Sequence, residues 1–199
     1  MNAIDVAQPL ETSRAKRLKA RTADAHERLD NRIMAGRPFD SRARYGLFLA
    51  VQHQFHRDID ALYSNPVLDA VLPDLAGRRR FDLVVQDLAD LGLAPPDAAA
   101  APVFGPVADV PTALGWLYVA EGSNLGAAFL LKEAAKLDLS EAFGARHLAG
   151  HPSGRGLHWR TFTAALDALE MNAAEEQRVV DGAVAAFDRV YALAEQAFD

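Results

Sequence analysis

The chain has 199 residues, of which 50% are hydrophobic and 24% charged, so we expect one globular domain over residues 1–199 with about ten flexible residues at its start. The net charge of −6 opposes binding to nucleic acid, and the absence of cysteine excludes disulfides, thiolate metal sites and cysteine nucleophiles. Because no apolar run has membrane length and no secretory signal is recognisable, the sequence favours a cytoplasmic protein without a membrane span.

The first predicted helix runs from about residue 13 to 33 and is unusually polar on all its faces. His26 lies near its middle, and Lys19 precedes it by two turns on the same face, roughly 10 Å along the axis. Lys19 could therefore meet a carboxylate of a ligand. Asp30 follows His26 by one turn and could accept the N–H of the ring nitrogen that does not bind a metal. Taken alone, a histidine in a charged helix is more often a solvated residue.

Helical periodicity continues through the rest of the chain and predicts an all-α fold of about seven helices. An amphipathic helix is expected from about 41 to 62, behind a cap at Asp40 or Ser41. A shorter helix ends before Gly92, and an Ala/Pro-rich crossover loop follows it. A polar break at 150–156 separates two further helices, and the last helix begins with an Asn172–Glu175 capping box.

The helix expected from about 111 to 137 carries three glycines on one face, at positions 115, 122 and 126. Each glycine costs about 1 kcal/mol relative to alanine in a helix interior, so a compensating contact is expected. One explanation is a close approach of two helices. The other is a planar ligand that rests directly on the backbone. Ser123 could also bond back to the preceding turn and bend the helix.

The ordered set TADAHERLD, ALGWLYVAEGSNLGAAFL and FGARHLAG closely resembles bacterial haem oxygenases, and the similarity runs along nearly the whole chain. The resemblance implies a compact all-α domain in which haem lies between a proximal helix and a glycine-kinked distal helix. It implies that His26 is the proximal ligand of the haem iron. It also implies that Gly122, Ser123 and Gly126 belong to the distal wall over bound oxygen.

By the same resemblance, haem b is both cofactor and substrate. With O2 and electrons from an external reductase or ferredoxin, the enzyme would cleave a meso carbon and yield biliverdin, CO and Fe2+. The residues agree with this chemistry, because one imidazole ligand leaves the sixth position of the iron open. Glycine also allows the distal backbone to approach bound oxygen closely.

The resemblance suggests roles for three further residues, and for each residue a purely structural role is the alternative. Lys19 and Tyr118 would hold a haem propionate and thereby favour cleavage at the alpha position. The alternative is a solvated lysine and a tyrosine that only packs. His53 would anchor distal waters that deliver protons, or it is a histidine at the edge of the core.

Other functional classes fit less well or remain open. A zinc protease would need a second histidine where Asp30 stands, and a di-iron bundle would need Glu-x-x-His pairs that the chain lacks. Thiamin-degrading enzymes of similar architecture depend on a cysteine. A haem-binding protein for storage or transfer, without catalysis, would need the same ligand and the same glycine wall. That alternative stays open at the level of the sequence.

Overall fold

A computed structural model describes residues 13–97 and 100–199, and the predicted flexible start lies outside these ranges. Within them the chain folds into eight α-helices and three short 3-10 segments, which confirms the all-α prediction. The α-helices, in chain order, are α1 (Arg14–Arg21), α2 (Ala23–Ala35), α3 (Arg42–Ile59), α4 (Pro66–Asp69), α5 (Phe81–Asp90), α6 (Val110–Ala135), α7 (Arg155–Ala168) and α8 (Ala173–Phe198). The 3-10 segments are Asp60–Ser64, Ala76–Arg78 and Arg146–Leu148.

The prediction of one continuous helix over residues 13–33 is wrong, because the chain breaks at Thr22. Both the backbone N–H and the side-chain hydroxyl of Thr22 donate to the carbonyl oxygen of Leu18, at 2.9 and 2.8 Å. Thr22 itself has φ −113° and ψ 8°, outside the helical region. The residue therefore ends α1, and α2 starts at the next residue.

Helix ends elsewhere follow the predicted capping residues. The Ser41 hydroxyl accepts the backbone N–H of Arg44 at 3.2 Å, so Ser41 rather than Asp40 is the N-cap of α3. The capping box before α8 is confirmed: Asn172 Oδ1 accepts the N–H of Glu175 at 3.0 Å, and Glu175 Oε2 accepts the N–H of Asn172 at 2.8 Å. Gly92 ends the α5 region with a φ of +66°.

The two longest helices, α6 and α8, share the most extensive contact in the described part of the chain. All side chains from 113 to 121 in α6 are buried, whereas from 122 onward only Ala127 and Ala134 are. The first half of α6 therefore belongs to the core. Its second half is largely exposed, although it still carries large apolar residues such as Leu125 and Phe129.

Helix α1 is fixed to the far end of the chain by a buried arginine. The Arg14 guanidinium donates to Glu176 Oε1 at 2.8 Å and to the Leu169 carbonyl oxygen at 2.7 Å. These bonds tie the polar N-terminal helix to α7 and α8. No helix in the described ranges has the length and hydropathy needed to cross a membrane. That the whole chain forms one domain stays a prediction.

Candidate functional site

His26 lies on the exposed side of α2, with 61% of its side chain accessible. Its Nδ1 is 3.1 Å from Asp30 Oδ2, one helical turn later. Phe187 of α8 supports the ring edge-on at a centroid distance of 5.7 Å. A carboxylate beside Nδ1 favours the tautomer with its proton there, which leaves the lone pair of Nε2 for a metal. The structure thus brings His26 and Asp30 together in an arrangement suited to ligation of haem iron.

The three glycines of α6 serve two different purposes. A Cβ on Gly115 would overlap the Val179 carbonyl oxygen of α8, and a Cβ on Gly182 of α8 would overlap the Thr112 carbonyl oxygen of α6. At this crossing the two helices touch backbone to backbone, so close helix approach explains Gly115. Such contact does not explain the other two glycines.

Neither Gly122 nor Gly126 is required by close helix packing, and Gly126 faces open space. A Cβ on Gly122 would make only an ordinary contact with the Trp159 ring at 3.7 Å, and nothing lies within 4 Å of the corresponding position at Gly126. Nearby on the same half of α6, Leu125 and Phe129 are 40% and 55% exposed. A surface of bare backbone and apolar side chains fits the face of a planar, largely apolar ligand such as haem.

Ser123 lies between these glycines and is exposed. Its hydroxyl donates to the Ala120 carbonyl oxygen at 2.7 Å, as back-bonding predicts. Helix α6 nevertheless runs without interruption from residue 110 to 135. A bend at the glycines stays a prediction.

Tyr118 reaches from α6 toward the helix that carries Lys19. Its hydroxyl is 3.5 Å from the Ala15 carbonyl oxygen, and burial raises the pKa of the phenol to about 12. Lys19 follows Ala15 by one turn of α1 and is exposed. Tyr118 on α6 therefore approaches α1, the helix that carries Lys19, and the binding of a propionate by the two residues stays a prediction.

His53 lies inside the protein, on α3. Its ring is 5.1 Å from that of Phe81, and its Nδ1 has no hydrogen-bond partner among the described residues. Burial, and then the charge of Arg57, lowers the pKa of the imidazole. His53 is thus a neutral buried histidine, and its link to distal water stays a prediction.

Directly before Gly122, Glu121 forms a buried ion pair that the sequence pattern did not reveal. Arg78 Nη1 donates to Glu121 Oε2 at 2.7 Å, and the two side chains are only 1% and 2% exposed. Arg78 also donates to the Thr161 hydroxyl of α7 at 3.1 Å. Burial raises the pKa of Glu121, while the charge and hydrogen bond of Arg78 oppose that rise. The feature of the sequence that could have indicated this ion pair is the carboxylate of Glu121 within the apolar part of α6.

Further buried polar groups lie beside this pair. His147, in the FGARHLAG segment, has its Nδ1 2.7 Å from Asp87 Oδ2. Arg80 Nη1 donates to the Ala149 carbonyl oxygen at 3.0 Å. Burial, and then the charges of His147 and Arg80, lowers the pKa of His56 to about 3. We call His56, Arg78, Arg80, Glu121 and His147 the polar cluster.

Several atoms of the polar cluster have no hydrogen-bond partner among the described residues. They are His56 Nδ1, Arg80 Nε, Glu121 Oε1 and His147 Nε2. Buried polar atoms of this kind are ordinarily satisfied by ordered water. The polar cluster can therefore hold water close to Gly122, which directly follows Glu121 in α6.

Comparisons with known proteins identify the family of this chain. The family model described as Heme oxygenase matches residues 12–196. The haem oxygenase PigA of Pseudomonas aeruginosa is 44% identical over 185 residues, which cover 93% of each chain. A haem oxygenase of Neisseria meningitidis, solved with bound NO and CO, superimposes with a TM-score of 0.88 at 44% identity and covers 94% of this chain and 92% of its own. The resemblance seen in the sequence is confirmed, and the chain belongs to the haem oxygenase family, whose members are haem-degrading oxidoreductases.

Proposed function

We propose that this haem oxygenase binds haem between α2 and the second half of α6, with His26 as the proximal ligand of the iron. The observation that carries the proposal is the exposed imidazole of His26, whose Nδ1 is oriented by Asp30 at 3.1 Å. Among the donors that ligate haem iron, a neutral imidazole leaves the opposite position open for a gas. The bound haem supplies both the iron at which O2 is activated and the meso carbon that is oxidised.

On the opposite side of the haem, Gly122 and Gly126 would admit the ligand because neither carries a side chain and the space beside Gly126 is open. The backbone of this segment can come within hydrogen-bond distance of O2 without a bulky side chain between them. The Ser123 hydroxyl is engaged with Ala120, so we expect its backbone rather than its hydroxyl to act at the site.

Protons reach this side through the polar cluster in our proposal. The unpaired atoms of Arg80 and Glu121 would hold water, and water chains carry protons to a reacting oxygen. His56 stays neutral at physiological pH, so it can both accept and donate a hydrogen bond in such a chain. His53 would support the same network from the neighbouring turn of α3.

We further propose that Lys19 and Tyr118 fix the haem propionates and so favour cleavage at the alpha position, giving biliverdin, CO and Fe2+. The electrons would come from a reductase or a ferredoxin. The close approach of Tyr118 to α1 supports this assignment, because it joins the distal helix to the helix of Lys19.

The decisive experiment is turnover of the purified protein loaded with one equivalent of ferric haem. With ascorbate or a reductase in air, we expect decay of the Soret band, growth of a biliverdin band and capture of iron by a ferrous chelator. Isolation of the biliverdin isomer then reports how haem is seated. A haem spectrum that persists under these conditions would instead indicate a storage or transfer protein.

A further inference from the structure

A second group of potential metal ligands lies outside the proposed haem site. Asp74 is in the loop before the 3-10 segment at 76–78, His151 is in the polar loop before α7, and His158 is on α7. One ligand atom of each residue lies within 4.8 Å of the others. In the described part of the chain, no other set of three His, Cys, Asp or Glu residues meets this condition.

His158 supplies independent support for a ligand at this place. The residue is 93% buried, with an exposed fraction of 7%, and its Nε2 has no hydrogen-bond partner among the described residues. A buried imidazole nitrogen without a partner is destabilising unless something binds to it. A metal would bind the neutral form of this ring.

The two histidines differ in what surrounds their Nδ1 atoms. His151 Nδ1 is 2.6 Å from the Ser153 hydroxyl oxygen and accepts the backbone N–H of Ser153 at 3.2 Å, so the proton of the neutral ring is on Nε2. His158 Nδ1 is 3.9 Å from Glu121 Oε2, beyond hydrogen-bond distance. On the other side of its ring, His151 Nε2 is 3.9 Å from Asp74 Oδ2. His158 Nε2 is therefore open to a metal, and His151 Nε2 becomes open once the ring leaves the Ser153 N–H and its proton moves to Nδ1.

We propose that Asp74, His151 and His158 form a binding site for one divalent transition-metal ion of the zinc or ferrous class. Two imidazoles and one carboxylate are a ligand set that these ions prefer, with the remaining positions left to water. Arg78, which donates to the His158 carbonyl oxygen at 3.3 Å, is paired with Glu121 at 2.7 Å, so Asp74 supplies the negative charge of the site.

Binding requires one local rearrangement. The rings of His151 and His158 are stacked, with centroids 4.3 Å apart and planes within 3° of each other. Parallel rings direct their lone pairs side by side rather than toward one point. Ligands at about 2.0–2.2 Å from a common ion must converge, so His151 has to turn out of the stack. His151 and Asp74 are both partly exposed and lie in loops, which leaves them room to do so.

The test is calorimetric titration of the haem-free protein with Zn2+, together with NMR spectra of its labelled histidine rings. We expect one equivalent to bind and the ring signals of His151 and His158 to shift, because their stacking is lost. Asp74→Asn and His151→Ala should each weaken binding at least tenfold. His158 is followed by its NMR signal rather than replaced, because a substitution in the core would also disturb packing.

Asp138→Asn is the matched control for Asp74→Asn. Both aspartates are exposed and have a positive φ, +58° at Asp138 and +53° at Asp74, a conformation that asparagine also tolerates. Zn2+ affinity should be unchanged in this control. The proposal is overturned if the wild-type protein binds no Zn2+, if both site variants retain its affinity, or if only the His26 ring signal shifts.

Discussion

Gly115 of α6 lies against Gly182 of α8 at a crossing where either glycine would meet backbone of the opposite helix if it carried a Cβ. Backbone meets backbone here between the two longest helices. Gly122 and Gly126 of the same helix differ from Gly115, because a Cβ would make only an ordinary contact with Trp159 at Gly122 and would meet nothing at Gly126.

We therefore expect Gly115→Ala and Gly126→Ala to have opposite effects on the haem-free protein. Alanine at 115 forces the helices apart and should cost about 1–3 kcal/mol of unfolding free energy, the usual range for overpacking. Alanine at 126 meets nothing and should stabilise α6 by up to about 1 kcal/mol through helix propensity. Urea denaturation measures both values. Equal stability of the two variants would contradict this account of the glycines.

Substitutions at His26 and Asp30 test the proximal side. His26→Ala should abolish the iron–imidazole bond in the spectrum of the haem complex and greatly reduce turnover. Asp30→Asn should lower haem affinity or activity only about tenfold, the lower end of such effects, because the pair is exposed. Asp24→Asn, on the same helix, is the charge-matched control. An unaltered spectrum in His26→Ala would show that another residue holds the iron.

The ion pair of Arg78 and Glu121 should make a large contribution to stability that depends on both partners. Glu121→Gln leaves the Arg78 charge buried and uncompensated, with an expected loss of about 3 kcal/mol. Adding Arg78→Met removes that charge, so the double variant should lose less than the sum of the single losses. Equilibrium unfolding of the wild-type protein, the two single variants and the double variant gives the coupling free energy of the pair. Additive losses would mean that the two side chains act independently.

Acidification should destabilise the haem-free protein through its buried histidines. The folded pKa is about 3 for His56 and about 4 for His158, both below the value of about 6.5 expected in the unfolded chain. At any pH between the folded and the unfolded pKa of a histidine, the unfolded state binds more protons than the folded state. The free energy of unfolding therefore falls as the pH falls below about 6.5, by roughly 1.4 kcal/mol per pH unit for each histidine.

His56→Gln isolates one of these contributions. Between pH 6.5 and 5.0 the variant should lose about 2 kcal/mol less than the wild-type protein, since one titrating histidine is gone. Urea unfolding at the two pH values measures the difference. The raised pKa of Glu121 acts in the opposite direction in both proteins and cancels in the comparison. Parallel losses in variant and wild type would exclude His56 as a source of acid sensitivity.

The proposed roles of Lys19 and Tyr118 are tested by which biliverdin isomer forms rather than by the rate of haem turnover. Lys19→Ala and Tyr118→Phe should let haem rotate in its site, so that a single biliverdin isomer is replaced by a mixture. Chromatography of the biliverdin isomers after complete turnover gives the answer. Lys136→Ala, an exposed lysine paired with Glu133, provides the control. An unchanged isomer in both site variants would leave these residues without a role in seating haem.

The sequence predicted those features that depend on neighbours along the chain. Helix α6 and the Asn172 capping box fall close to where spacing placed them. The break at Thr22 escaped prediction because it depends on a side chain that turns back onto Leu18. The polar cluster was not predicted either, for a different reason. Its members come from α3, the segment around residues 78–80, α6 and the 146–148 segment, and no periodicity links residues that meet only in three dimensions.

The residues of α6 from 113 to Glu121 are buried, whereas most residues after Glu121 face outward. Substitutions before this point alter packing whether or not a ligand is present. Beyond it, substitutions at the open positions alter mainly the surface offered to a ligand. Sequence change can therefore retune what the protein binds or how it oxidises it while the scaffold persists. The two halves of one helix thus allow the two properties to evolve separately.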